Sequence, residues 1–121
     1  MDYAVSVSSC STYILCRVSG GFTADEARAF ALEVEQLGRE KDIKRFLFDV
    51  REAVNESSIF RNYEYAYNDM PEMGLTRAVR SAILASPEDR SHDFVETLCQ
   101  NAGYNVQLFK DEQEARAWLK E

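Results

Sequence analysis

The fold is decided by the stretch Tyr13-Ile14-Leu15-Cys16-Arg17-Val18, which leads through Gly20-Gly21 into Thr23-Ala24-Asp25-Glu26. An apolar run of this length is typical of a buried strand, and a threonine followed three residues later by a glutamate is a helix-capping box. The same order returns twice: Ala82-Ile83-Leu84-Ala85 precedes Ser86-Pro87-Glu88-Asp89, and Val106-Gln107-Leu108-Phe109 precedes Asp111-Glu112-Gln113-Glu114. Strands that lead directly into capped helices, repeated along a chain, predict an α/β fold.

Length and charge narrow the class of protein. The chain has 121 residues, of which 45% are hydrophobic, and a formal net charge of −7. This size predicts a single domain over residues 1–121, and the negative charge argues against nucleic acid or an anionic membrane as partner.

No apolar stretch approaches the roughly 18 residues of a membrane span. The N-terminus lacks the features of a signal peptide, and the three cysteines fit neither a disulfide framework nor a zinc site. We expect a cytoplasmic protein that is not transmembrane.

The other elements follow from hydrophobic spacing. Alternation over residues 3–7 predicts a strand that forms an antiparallel hairpin with residues 12–18. Residues 43–50 carry Phe46-Leu47-Phe48 without alternation, as expected for a strand buried on both faces, and residues 51–56 predict a polar loop. Helical apolar stripes begin at Ala27, Ile59, Phe94 and Ala115. We summarise the fold as ββαβαβα, with a mixed sheet, an N-terminal antiparallel hairpin and four helices.

Motifs that carry catalytic chemistry are missing from the sequence. The single histidine, His92, has no nucleophile or orienting partner nearby in sequence, and is expected to be solvated on a helix. There is no GxGxxG, P-loop, HExxH or CxxC pattern. The sequence therefore predicts a protein that is not an enzyme, without a cofactor or a metal site.

Three tyrosines in the second helix suggest a surface for a ligand or partner. Tyr63 and Tyr67 share the apolar face of this helix with Phe60, and are predicted to be buried in the core. Tyr65 falls on the opposite side, between Arg61 and Asp69, and is predicted to be exposed. An exposed aromatic at that position could meet a partner.

Three polar residues are predicted at the carboxyl ends of successive strands, where α/β sheets bind ligands. They are Asp49, Ser86 and Lys110. An acceptor carboxylate, a hydroxyl and a lysine in this arrangement resemble the site of phospho-receiver domains, although the acidic pair that those domains carry after the first strand is missing. Asp49 and Ser86 are therefore a second candidate surface for a ligand or partner.

The start of the second helix carries a family resemblance. The stretch Glu56-Ser57-Ser58-Ile59-Phe60 resembles the Asp-Ser-Ser-Gly-Leu stretch at the same place in STAS domains of anti-sigma-factor antagonists. Residues 105–119 are similar to the SpoIIAA-like proteins, often grouped as STAS/SEC14. The resemblance implies the SpoIIAA-like fold and phosphorylation of the second serine, Ser58, by a partner kinase.

Three functional hypotheses remain open. The first is a non-enzymatic regulatory or protein-interaction domain, phosphorylatable at Ser58 or Ser57, one of which we expect to cap the second helix. The second is a small carrier for an apolar or lipid-like ligand, held in a cavity lined by Phe60, Tyr63 and Tyr67. The third is a receiver-like phosphoacceptor at Asp49. A protein partner is expected under the first hypothesis, and a homo-oligomer also stays open.

Overall fold

The computed structural model describes residues 1–121 and contains five strands and four helices. The strands are β1 (Asp2–Val7), β2 (Ile14–Phe22), β3 (Arg45–Asn55), β4 (Arg80–Leu84) and β5 (Asn105–Phe109). The helices are α1 (Ala24–Lys41), α2 (residues 59–72), α3 (Asp93–Asn101) and α4 (Glu112–Lys120). The α/β class is confirmed. The observed order is ββαβαβαβα. The formula ββαβαβα leaves out one βα pair, although the four helices and the strand at residues 106–109 are present as predicted.

The five strands form one mixed sheet in the order β1-β2-β3-β4-β5. β1 is antiparallel to β2, which confirms the N-terminal hairpin, and the other neighbours are parallel. Parallel strands in sequential order are joined by crossovers of one hand, which bring their helices to the same face. Accordingly, α1, α2 and α3 share one hydrophobic core, whereas α4 alone packs on the opposite face.

Two of the three predicted capping boxes begin a helix. The Thr23 hydroxyl accepts from the amide of Glu26, and the Glu26 carboxylate accepts from the amide of Thr23. Asp111 caps α4 by accepting from the amide of Gln113. The prediction at Ser86 is wrong: its hydroxyl donates to the carboxylate of Glu88, and α3 begins only at residue 93. Residues 86–92 instead fold into turns, which carry the chain to the buried position of His92.

β3 is longer than the sequence predicts. Residues 51–55, expected in a polar loop, continue the strand because β2 extends beside them as far as Phe22 and supplies the paired backbone. β4 ends at Leu84, opposite Asp49, so β2 and β3 project beyond the rest of the sheet. This projection carries the β3–α2 connection to the N-terminus of α1.

Trp118 docks α4 on the sheet and is half-buried. Its ring lies 5.5 Å from Phe109 and beneath the guanidinium of Arg80 at 5.0 Å. Arg80 also donates to the carbonyl of Trp118, and Arg45 to that of Leu119. Positive charge at the C-terminus of a helix complements its dipole. None of the four helices has the length and hydrophobicity needed to cross a lipid bilayer.

Candidate functional site

The two serines before α2 have different partners. Ser58 is exposed, and its hydroxyl accepts from the amide of Arg61 at 3.1 Å, which makes it the N-cap of α2. Ser57 is half-buried, and its hydroxyl accepts from the amide of Ala24 at 2.7 Å, in the first turn of α1. The expected serine cap is thus confirmed and falls on Ser58, while Ser57 ties the loop to α1.

Three further contacts hold this loop in place. The amide of Ser57 donates to the side chain of Asn55 at 3.0 Å, and the amide of Glu56 donates to the carbonyl of Phe22 at 2.8 Å. The Glu56 carboxylate lies over Gly21, where an added Cβ would come within 2.3 Å of its carboxyl carbon. Gly21 thus allows the close approach of Glu56. These contacts fix the backbone of the loop that carries Ser58.

The structure reverses the prediction for the three tyrosines. Tyr63 and Tyr67 are 48% and 37% exposed, and their rings stack on each other at 4.5 Å. Phe60, expected in the core beside them, is 71% exposed. Tyr65, expected at the surface, is buried in the main core. The buried face of α2 consists of Asn62, Tyr65, Ala66, Asp69 and Met70.

The reversal has two physical causes. First, two polar residues of the buried face have partners inside the protein: Asn62 accepts from the side chain of Asn55 at 3.1 Å, and Asp69 pairs with arginines. Second, α2 is not α-helical throughout. It consists of Ile59–Glu64 in α-helical form, Tyr65–Asp69 as a π-helical turn, and Met70–Glu72 in α-helical form. The amide of Met70 donates to the carbonyl of Tyr65, five residues before it. This wider turn shifts the phase of the helix, so 3.6-residue spacing fails across it.

Asp69 and Arg61 are the centre of an ion-pair cluster between α1 and α2. The Asp69 carboxylate lies 2.5 Å from Arg61 and 3.3 Å from Arg28. Arg61 also binds Asp25, in the first turn of α1, at 2.8 Å. These hydrogen bonds raise the pKa of Arg61 above its ordinary value. Arg61, whose amide binds the Ser58 hydroxyl, therefore connects the N-terminal cap of α2 to α1.

Asp49 and Ser86 line one shallow polar groove on the α4 side of the sheet. Asp49 is buried, and both of its oxygens accept from the guanidinium of Arg51, at 2.9 and 2.8 Å. Burial acts to raise the pKa of Asp49, but the hydrogen bonds and charges of Arg51 and Arg17 outweigh it and hold that pKa below its ordinary value. Lys110 donates to the carbonyls of Ser86 and Asp89 instead. The receiver hypothesis gains no support from this geometry, because Arg51 already occupies the carboxylate.

A cavity of about 120 Å³ lies between the sheet and α1, α2 and α3. It stands where the carrier hypothesis expects one, but its lining differs. Tyr65 contributes to the wall, and Phe60, Tyr63 and Tyr67 do not. The polar side chains among the 24 lining residues are Glu35, Asn55, Asn62, Thr76, Ser81, His92 and Asn105.

His92 is buried, contrary to the expectation that it is solvated. Its Nε2 lies 3.0 Å from the carbonyl of Ala53 and 3.2 Å from the carboxylate of Asp89. Because a carbonyl oxygen only accepts, Nε2 carries the proton. The ring stacks on Phe22 at 5.9 Å. His92 thus fastens the loop before α3 to the end of β3, a role that its position in the sequence did not reveal.

A five-stranded mixed sheet, with an N-terminal hairpin, three helices on one face and one on the other, defines the class of α/β domains with the SpoIIAA-like fold. The chain belongs to the SpoIIAA-like family, whose model matches residues 13–120. A comparison with curated protein sequences finds no match.

Two solved structures share this fold. One is an uncharacterised protein of the DUF3478 family from Shewanella loihica PV-4, with a SpoIIAA-like fold; it is 19% identical, with a TM-score of 0.58 over 98% of this chain and 92% of that one. The other is the anti-sigma factor antagonist SpoIIAA in its unphosphorylated form; it is 12% identical, with a TM-score of 0.55 over 98% of both chains. At these identities the likeness concerns the fold alone.

Proposed function

We propose that the protein is a non-enzymatic regulatory domain that binds a protein partner through the exposed side of α2, under the control of phosphorylation at Ser58. The observation that carries this proposal is the position of Ser58. An exposed, fixed hydroxyl begins a helix that carries four exposed apolar side chains on its outer side. Membership in the SpoIIAA-like family supports a regulatory role, and SpoIIAA, which shares the fold, is an anti-sigma factor antagonist.

The exposed side of α2 has the character of an interaction surface. We call it the aromatic face of α2; it consists of Ile59, Phe60, Tyr63 and Tyr67, which are 59%, 71%, 48% and 37% exposed. Contiguous apolar side chains on the surface of a protein often mark sites where other proteins bind, and aromatic residues are enriched in the centres of such interfaces. The face begins at the residue directly after Ser58.

A phosphate on Ser58 would act on this face through charge. It adds about −1.5 to −2 charges at neutral pH, at a helix N-terminus where free amides and the dipole favour an anion. It would also compete with Asp25 and Asp69 for Arg61, whose amide already binds the Ser58 hydroxyl. Loss of the Arg61–Asp25 contact would loosen α2 from α1. The carboxylate of Glu56, two residues before Ser58, would repel the phosphate. We expect this repulsion to favour release of a partner over recruitment.

Phosphate mapping tests the control step. The purified protein is incubated with ATP and an extract of its own host, and the peptide containing Ser57 and Ser58 is sequenced by mass spectrometry. We expect phosphate on Ser58 and none on Ser57, whose hydroxyl binds α1. Ser58→Ala should abolish incorporation, whereas Ser57→Ala should preserve it. Phosphate on neither serine, with a full-length chain recovered, would contradict the proposal.

Matched surface variants test the binding step. A partner is isolated from host extract by crosslinking to the wild-type protein and is then titrated against purified variants. Phe60→Ser should weaken binding, and so should phosphorylated Ser58, because both alter the aromatic face. Leu32→Ser, which changes a 38%-exposed leucine on α1, is the control and should bind like wild type. Equal losses with Phe60→Ser and Leu32→Ser would place the interface elsewhere.

A further inference from the structure

The cavity beneath α2 has the size and chemistry of a binding site for a small apolar molecule. Of its 24 lining residues 17 are hydrophobic, and its volume is about 120 Å³. Apolar cavities of about 150 Å³ stay free of water and take up a single aromatic ring. A space of this size is too small for a two-chain lipid, but it suits one ring.

The polar side chains buried around the cavity have partners, with one exception. Asn62 binds Asn55, His92 binds the carbonyl of Ala53, and Glu35 pairs with Arg39 at 3.3 Å. Tyr104 also lines the cavity and is 5% exposed, but its hydroxyl has no hydrogen-bond partner. Buried polar groups without a partner are rare in native proteins, and each calls for a physical explanation.

The Tyr104 ring is held in place by its surroundings. The guanidinium of Arg77 lies over the ring at 4.5 Å, and Arg77 also donates to the carbonyl of Ala102. Burial raises the pKa of Tyr104, so its hydroxyl stays protonated and is a hydrogen-bond donor at neutral pH. Asn105, directly after Tyr104, and Val79, directly before the Arg80 that pairs with Asn105, also line the cavity at the amino-terminal ends of β4 and β5.

We propose that the cavity binds a small apolar molecule, about one aromatic ring in size, that carries a single acceptor oxygen for the hydroxyl of Tyr104. The apolar wall binds the ring, and the acceptor oxygen satisfies the one buried hydroxyl that the protein leaves unpaired. This binding site goes beyond the regulatory function proposed above, because it requires neither a protein partner nor a phosphate on Ser58.

Titration with two matched probes tests the proposal. Toluene and phenol have the same number of heavy atoms, but only phenol has an oxygen that can accept from Tyr104. Each is added to the isotopically labelled protein, and amide chemical shifts are followed by NMR. We expect saturable shifts for residues that line the cavity, with tighter binding of phenol than of toluene. Absence of saturable shifts with both probes would overturn the proposal.

Variants test the contributions of the apolar cavity and of the Tyr104 hydroxyl to binding separately. Tyr104→Phe retains the ring and should weaken phenol binding about five- to tenfold, the loss expected for one hydrogen bond, while toluene binding is unchanged. Ala31→Leu fills the cavity from α1 and should abolish the binding of both probes. Val95→Leu adds a single methylene and should weaken both, which keeps the test valid if Ala31→Leu does not fold.

Two outcomes contradict parts of this proposal. If phenol binds Tyr104→Phe as tightly as it binds the wild type, Tyr104 is not the anchor. If both filling variants bind the probes like wild type, the shifts arise at the surface, and the cavity is not the site. Neither result bears on the Ser58 proposal, which is tested by phosphate mapping.

Discussion

The two faces of α2 are the reverse of an ordinary amphipathic helix. The face toward the core contains an asparagine and an aspartate, both paired, beside Tyr65. The face toward solvent contains Phe60 and a stacked pair of tyrosines. A helix gains stability by burying apolar side chains, so apolar residues left outside gain nothing for the isolated fold. This difference suggests that the inner face holds the helix in place and that the outer face serves binding.

The largest expected effect is a difference in stability loss between a buried and an exposed tyrosine of α2. Tyr65→Ala removes a ring from the main core and should lower the free energy of unfolding by about 3–5 kcal/mol, the usual loss for a buried aromatic. Tyr63→Ala removes only a half-exposed ring and its stack on Tyr67, so we expect a loss below about 1 kcal/mol. Urea denaturation measures both. Losses of similar size would show that the two faces do not differ as described.

The second expected effect concerns the buried carboxylate of the inner face. Asp69→Asn keeps the shape of the side chain but removes its charge from Arg28 and Arg61, so it should cost about 1.5–3 kcal/mol of unfolding free energy. Asp25→Asn is the control. Asp25 pairs with the same Arg61 but is 79% exposed, and exposed ion pairs contribute less than about 1 kcal/mol. A larger loss for Asp25→Asn, measured by the same denaturation, would contradict the inner-face assignment.

The sequence predicts the fold well because the fold follows local rules. Apolar runs, period-2 alternation and two of the capping boxes each depend on residues close together in the chain. The stripe of α1, for example, is buried as predicted at Ala27, Phe30 and Val34. The cap at Ser58 follows from the same local chemistry.

The orientation of α2 could not be predicted in the same way. It depends on residues outside the helix: Asn55 at the end of β3 contacts Asn62, and Arg28 on α1 contacts Asp69. Polar residues at helical spacing are ordinarily assigned to the solvent side, and the π-helical turn at residues 65–69 disturbs that spacing further. The cavity and the unpaired hydroxyl of Tyr104 arise from packing between several elements, and no local pattern encodes them.

The third expected effect concerns the stability that the N-cap residue Ser58 gives to α2. Ser58→Ala removes the oxygen that accepts from the amide of Arg61 and should cost about 0.5–2 kcal/mol. Ser58→Asp retains an acceptor and adds a negative charge at the helix N-terminus, so its stability should stay near that of wild type. Thermal and urea unfolding of the pair measure this difference. Equal stability of Ser58→Ala and wild type would mean that the hydroxyl does not stabilise α2.

The smallest expected effect on stability belongs to the outer face. Phe60 is 71% exposed, so Phe60→Ser should change the free energy of unfolding by no more than about 0.5 kcal/mol, as surface substitutions usually do. The same change should reduce binding of a fluorescent dye that reports exposed apolar surface, because it removes the most exposed ring of the aromatic face. Leu32→Ser, on α1, should leave most of the dye signal in place. A large loss of stability with Phe60→Ser would instead mean that this ring supports the fold. That result would contradict the assignment of the aromatic face as a binding surface.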